Sequence, residues 1–164
     1  VQGALHWSRT RGKRERIDVT VYDNYLRGCP AWLEAIVRDG RVVVHRHDMT
    51  RPLPPGIGHF DYIIHAAGIA SPIYYRRKPL ECIDANIIGL RNLLDYAVAE
   101  ASAGRPLHGM LFYSSSEIYG DPSPDAIPTP ETYRGLVSCT GPRACYDESK
   151  RFGETLCVTY ARHH

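Results

Sequence analysis

A phenol and an ammonium four residues apart carry the most suggestive chemistry in this chain: Tyr146 and Lys150, in the stretch Gly141-Pro142-Arg143-Ala144-Cys145-Tyr146-Asp147-Glu148-Ser149-Lys150. Pro142 suits the first position of a helix, where its missing N–H costs nothing, and Ala144, Cys145, Phe152, Leu156 and Cys157 then recur at helical spacing. Residues four apart on a helix are neighbours, so Lys150 can favour the ionised form of Tyr146, a group that titrates at about 10 in water. The pair would then serve as a base toward a hydroxyl proton. An ordinary amphipathic helix with a surface Tyr and Lys has the same spacing, so the rest of the chain must decide.

The elements that would position this pair alternate between strand and helix. Residues 17–22 alternate and are β-branched, predicting a strand that ends at Asp23-Asn24, with Gly28 and Pro30 as loop punctuation. A short helix is expected over 32–38 and a second strand over 41–46, stopping at His47-Asp48-Met49. After a Pro- and Gly-rich connector comes a third strand over 60–65, running into Ala66-Ala67-Gly68, then a turn at Ser71-Pro72. A long helix follows from Pro79 to about Ala103, with Ile83, Ile87, Leu90, Leu94 and Val98 on one stripe. The fourth strand, 107–113, ends at Ser114-Ser115-Ser116-Glu117, and a proline-rich loop separates it from the Tyr146 helix. Residues 1–16 are basic and without clean periodicity, predicting neither a buried strand nor a good amphipathic helix.

Strands that are apolar on both faces and alternate with helices predict an α/β fold with a doubly wound parallel sheet. Right-handed crossovers place all the strand C-termini on one edge, where ligands of open sheets bind. Asp23, Asp48, Ala66-Ala67 and Ser114 to Glu117 all fall there. An acid at such a strand end can accept hydrogen bonds from both ribose hydroxyls of an adenosine and repels a 2′-phosphate, so Asp23 favours NAD over NADP, although a turn cap is an equally common use of an Asp. Asp48 could receive the adenine amino group or cap a turn. The small residues at 66–68 allow a flat cofactor to approach, or allow close helix packing.

Composition narrows the alternatives. A chain of 164 residues, 43% hydrophobic and 23% charged, is long enough for a globular domain with its own core. The formal charge of +2 comes from scattered cations, which implies neither nucleic acid nor a membrane surface as partner. Five cysteines without a C-x-x-C read as reduced thiols. No apolar run reaches about 18 residues and no signal peptide opens the chain, so a soluble, cytoplasmic protein is expected. His45, His47 and Asp48 raise a metal reading that strand geometry disfavours, since successive strand residues point to opposite faces.

Five ordered motifs carry a resemblance: V-x-V-x-D-N, F-D-x-I-x-H-A-A, N-x-x-G-x-x-N-L-L (Asn86, Gly89, Asn92), S-S-S-E-x-Y-G-D-P (Ser114 to Pro122) and G-P-R-A-C-Y-D-E-S-K-R. Together they resemble the extended short-chain dehydrogenases that act on nucleotide sugars, nearest to the UDP-glucuronate decarboxylases, from about Ile17 to His164. The resemblance implies a Rossmann-like, NAD-binding fold and a nucleotide-sugar substrate, with a homodimer in the full-length form. It implies that Tyr146 is the catalytic base, that Lys150 lowers its pKa and holds the nicotinamide ribose, that Ser115 hydrogen-bonds the sugar and the Tyr, and that Glu117 is a further acid or base. Asp23, Asn24, Asp48, Met49, Ala66, Ala67 and Ser114 would line NAD together with Tyr146 and Lys150. Tyr75, Asn92 and Ser116 would face the substrate.

The chain departs from the family in three places. Family members open with a strand and a G-x-x-G-x-x-G turn; here only Gly3 fits, and the other two places hold His6 and Arg9. Residues 1–16 are therefore expected as an atypical segment before a partial NAD-binding domain over 17–164, and the phosphate-binding turn is expected to be absent. Members are also about twice this length, which predicts an incomplete chain without the substrate domain. The decarboxylases carry a Lys two residues before the Asn86 position, where this chain has Asp84, an unsuitable partner for a sugar carboxylate. Related dehydratases use Asp just before the Glu; Ser116 stands there, favouring decarboxylase or epimerase over dehydratase. A Rossmann-like sensor or scaffold without turnover is the alternative from another class.

Overall fold

The computed structural model describes residues 1–10, 17–38, 40 and 42–164, which fall into two compact units, Val1–Asp48 and Met49–His164. In the first unit, α1 spans Gln2–Thr10, β1 Val19–Asp23, α2 Ala31–Val37 and β2 Val42–Arg46. The strands β1 and β2 pair in parallel, Val19 opposite Val42 through Asp23 opposite Arg46, with α2 as the crossover that parallel pairing requires. Val42 and Leu33 are buried where α2 packs on β2. The helix α1 is a difference from the sequence reading: Leu5 and Ser8, one turn apart, are both buried, and the Ser8 hydroxyl accepts the Ile17 N–H at 3.2 Å. A buried leucine and a hydrogen bond to a residue nine positions on thus support a helix that periodicity did not signal. Of residues 1–16, those from 11 to 16 lie outside the described residues, as does Arg41 at the start of the second expected strand.

The second unit holds β3 (Tyr62–His65), α3 (Pro72–Arg77), α4 (Pro79–Ser102), β4 (Gly109–Phe112), two 3-10 turns (Ser116–Tyr119 and Pro124–Ala126) and α5 (Ala144–His163). Here β3 and β4 pair in parallel, Tyr62 opposite Gly109 through His65 opposite Phe112. The core lies under α4 and α5, which pack on each other around Cys82, Leu90, Leu93 and Leu94, and α5 also touches β4. Where a simple turn was expected at Ser71-Pro72, the chain makes the short helix α3, started by Pro72 in its first turn and fastened by Tyr75, 2% exposed.

All four strands pair in parallel, as the alternating pattern requires, but they form two separate two-stranded sheets. One edge of each central-type strand, β1 and β3, is left unpaired among the described residues. The outward face of β3 and β4 is also uncovered: Tyr62, Ile64 and Leu111 are 68%, 60% and 49% exposed.

Candidate active site

The base pair of residues is built by α5. Its first turn closes on the Arg143 carbonyl, which accepts the Tyr146 N–H at 2.9 Å and the Asp147 N–H at 3.0 Å. Tyr146 and Lys150 then follow one turn apart, both buried at 7% and 4% exposure. The Lys150 ammonium donates to the carbonyl of Tyr113, just past β4, at 2.6 Å. It also lies 4.7 Å from the Phe112 ring centre and 5.8 Å from that of Tyr146. The helix comes this close to β4 because residue 153 is Gly: a Cβ there would stand 2.4 Å from Phe112 Cζ. Burial pushes the Lys150 ammonium below its usual range, which readies it to be satisfied by a polar ligand or an anionic phenolate.

Around the pair sits a layer of buried polar groups. Asn86 of α4 donates to the Ser149 hydroxyl at 2.9 Å, and that hydroxyl donates to the Tyr146 carbonyl at 2.9 Å. Asn86 and Ser149 are almost fully enclosed, so the bond between them is maintained in a low-dielectric setting where leaving either unpaired costs about 1–3 kcal/mol. Gly68 completes the layer: a Cβ at this position would meet Asn86 Oδ1 at 2.3 Å and Lys150 Nζ at 3.1 Å. His65, 1% exposed, bonds the Ala85 carbonyl through Nε2 at 3.1 Å and stays neutral, its pKa pushed down to about 4 by burial and by the nearby Lys150 charge. Burial also pushes the Cys82 thiol up to about 12, making it an inert core group.

Tyr75 stacks on Tyr146 with ring centres 5.2 Å apart and planes 10° from parallel, which fixes the plane of the phenol while its oxygen keeps no hydrogen-bond partner among the described residues. The serine-rich end of β4 lies next to α5, but not all of it as the sequence suggests. The Ser115 hydroxyl caps the 3-10 turn by accepting the Glu117 N–H at 3.3 Å and makes no hydrogen bond to Tyr146. Ser114 donates to Glu154 at 2.5 Å, and Ser116 is exposed. Glu117 is ion-paired with Arg143, whose Nε also faces Asp147 Oδ2 at 3.6 Å. Asp147 is mostly enclosed, and burial raises its pKa.

The cofactor residues divide between the units. Asp23 and Asn24 are exposed at the end of β1, where their side-chain oxygens accept the N–H of Tyr25 at 2.7 Å and of Leu26 at 3.0 Å, turn caps that leave carboxylate lone pairs available. A shallow hollow of about 380 Å³ beside them is lined by Tyr25, Leu33, Val37 and Val44, among others. Asp48 is half-buried in the same unit. His45 of β2 and His47, just past its end, both lie against the Tyr22 ring. In the second unit Ala66 and Ala67 are exposed just past β3, whereas Met49 is buried near Gly89. Asn92 is a brace: its amide donates to the carbonyls of Met49 at 2.8 Å and Arg51 at 3.1 Å.

These residues fit the nicotinamide-ribose end of a dinucleotide: Lys150 has donors to spare, the Tyr146 oxygen has no hydrogen-bond partner among the described residues, and Ala66 and Ala67 present little bulk. The pyrophosphate end does not fit in the same way, because Gly3 lies inside α1 and forms no glycine turn. Sequence reasoning missed Arg143 and Asn86 as parts of the site. Arg143 stands one helical turn before Tyr146 and Asn86 four residues after Cys82, so both spacings were present, but their partners lie 26 and 63 residues away along the chain.

A model of the NAD dependent epimerase/dehydratase family matches residues 11–164. The chain belongs to that family. It is 40% identical over 152 residues to UDP-glucuronic acid decarboxylase 3 of Arabidopsis thaliana, covering 93% of this chain and 41% of the relative. It is 37% identical to UDP-glucuronic acid decarboxylase 1 of Xenopus tropicalis, covering 88% of this chain and 32% of that one. Among solved structures it is similar to a UDP-galactose 4-epimerase, with a TM-score of 0.71 at 25% identity over 98% of this chain and 48% of the other. It therefore spans less than half the length of the relatives it matches.

Proposed function

We propose that this chain supplies the catalytic centre of an NAD-dependent enzyme that modifies a nucleotide sugar through transient oxidation at the 4-carbon. The observation that carries the reading is the Tyr146 phenol, one turn from the buried Lys150 ammonium, held in plane by Tyr75, with no hydrogen-bond partner on its oxygen among the described residues. In this reading Lys150 favours the ionised form of Tyr146 while donating to the nicotinamide ribose, and the phenolate Oη takes the proton of the sugar's 4-hydroxyl, becoming the neutral phenol. When bound, NAD supplies reversible oxidation of that carbon. Ser115 and Ser116 hold sugar hydroxyls after the turn at 116–119 adjusts, and Glu117 serves the second proton transfer.

Similarity to UDP-glucuronic acid decarboxylases supports decarboxylation of the 4-keto acid over epimerisation. Exposed Ile88 of α4 and Phe152 and Val158 of α5 support a homodimer, which sedimentation would test. A sensor or scaffold is the second reading, favoured by the helical α1 where a phosphate-binding turn would stand. The two separate on one variant. Under the enzymatic reading Tyr146→Phe abolishes turnover of a nucleotide sugar and leaves NAD affinity within about twofold, since it removes a proton acceptor and little contact surface. Unchanged turnover in that variant would overturn the enzymatic reading.

A further inference from the structure

We infer that Arg143 selects acidic sugars, its guanidinium exchanging the Glu117 carboxylate for the carboxylate of a uronic acid nucleotide. The inference rests on the nucleotide-sugar reading and adds the residue that sets charge specificity. Three observations carry it. Arg143 begins the first turn of α5, three residues before Tyr146, and side chains so spaced on a helix start about 5–6 Å apart. A uronic acid docked with its 4-hydroxyl on Tyr146 places its carboxylate on the adjacent carbon, within reach of a side chain as long as arginine's.

The second observation is that the partner now on the guanidinium can be exchanged. Glu117 and Arg143 are 38% and 40% exposed, so neither is locked in the core, and Glu117 rides on a single 3-10 turn. Two arginines reach that turn differently. Arg151 of α5 donates to the backbone carbonyls of Ile118 in the turn and of Gly135 in the loop beyond it, each at 3.4 Å, whereas Arg143, at the N-cap of α5, holds the turn through the one side chain that a substrate carboxylate can imitate.

The third is an unused donor. Among the described residues Arg143 Nε is enclosed and without a hydrogen-bond partner, since Asp147 stands at 3.6 Å, and Asp147 Oδ1 likewise has none. A guanidinium has five donors in a fork that suits bidentate carboxylates, and here the fork is incompletely filled. With Glu117 and Asp147 both facing one cation, a further anion is accepted only when Glu117 leaves it. Glu117 therefore acts as an internal competitor, and its release on binding frees it for proton transfer.

The test is calorimetric titration of the chain, with NAD present, using UDP-glucuronate and its uncharged counterpart UDP-glucose. Arg143→Gln should lower the preference for UDP-glucuronate by about tenfold or more, the size of a lost charge-assisted pair, and Arg143→Lys should restore part of it. Glu117→Gln should move the preference the other way, raising it severalfold by removing the competitor. This opposite sign is one that damaged folding cannot imitate. An unchanged preference in both Arg143→Gln and Glu117→Gln overturns the inference while leaving the nucleotide-sugar reading intact. Uptake of neither sugar by the unsubstituted chain overturns that reading and the inference with it.

Discussion

The two units treat their functional residues in opposite ways. In Met49–His164 the groups offered to chemistry are embedded: Tyr146 and Lys150 are buried, and Asn86, Ser149, His65 and Gly68 pack around them with almost no slack. In Val1–Asp48 the corresponding groups are exposed, with Asp23 and Asn24 capping a surface turn. The contrast follows from the sheet. In a doubly wound order of 3-2-1-4-5-6 the first strand lies between the second and the fourth. Here the N-terminal residues form the helix α1, and each parallel pair stands as its own two-stranded sheet. The second unit compensates with two long helices packed on each other; in the first the seven-residue α2 packs on its sheet.

If embedding is what distinguishes the second unit, substitutions there should strike hardest. Tyr146→Phe should reduce turnover by about 10²–10⁴-fold in a coupled assay, the usual contribution of a positioned acid or base, with NAD titration nearly unchanged. A fall in NAD affinity as large as the fall in rate would mean that the phenol is a binding group, and the contrast between units would lose its functional meaning.

Next in size is a pH effect confined to the second unit. His65 is neutral in the fold, with its pKa lowered to about 4 from an ordinary 6.5. The unfolded chain therefore binds the extra proton between these values, so stability rises with pH across that window and is lost as pH falls through it. The full difference is about 3 kcal/mol, and replacing His65 with Gln should flatten the dependence seen in urea melts at pH 7 and pH 4.5. A wild-type stability that is the same at both pH values would contradict the burial of a neutral His65.

Glycine substitutions sharpen the comparison further. Gly68→Ala should cost about 1–3 kcal/mol in chemical denaturation, because the new Cβ would press on Asn86, which is bonded to Ser149 and has nowhere to move. Gly28→Ala in the first unit meets open space, and only its φ of +81° opposes the change, so a cost of about 1 kcal/mol is expected. Equal costs would show that the second unit is less tightly packed than its distances imply.

The smallest effect belongs to the first unit. Asp23→Ala should lower the preference for NAD over NADP by a factor of about ten or less while leaving catalytic rate at saturating cofactor unchanged, since a solvated carboxylate contributes a modest hydrogen bond and a modest repulsion. Fluorescence titration with both cofactors measures it. Equal affinity of the unsubstituted chain for NAD and NADP would remove Asp23 from cofactor selection.

Much of this molecule was legible in its sequence because periodicity reports directly on which face of an element is covered. The strands, the helix from Pro79 and the pairing of Tyr146 with Lys150 on one helix follow from local spacing alone, and the structure has each of them within a few residues. The parallel pairing followed as well, since helices long enough to cross over separate the strands. The helix Gln2–Thr10 was not legible, because the contacts that support it include a buried leucine and a hydrogen bond from a residue nine positions away, which local periodicity does not report. Nor were the partners of the site residues. That Ser115 caps a turn and makes no bond to Tyr146, that Asn92 braces a connector, that Tyr75 lies flat on the phenol and that Arg143 holds Glu117 are all contacts between segments far apart in the chain. Spacing fixes which side chains share a face of one helix; only the packing of that helix against β4 and α4 decides what each side chain meets.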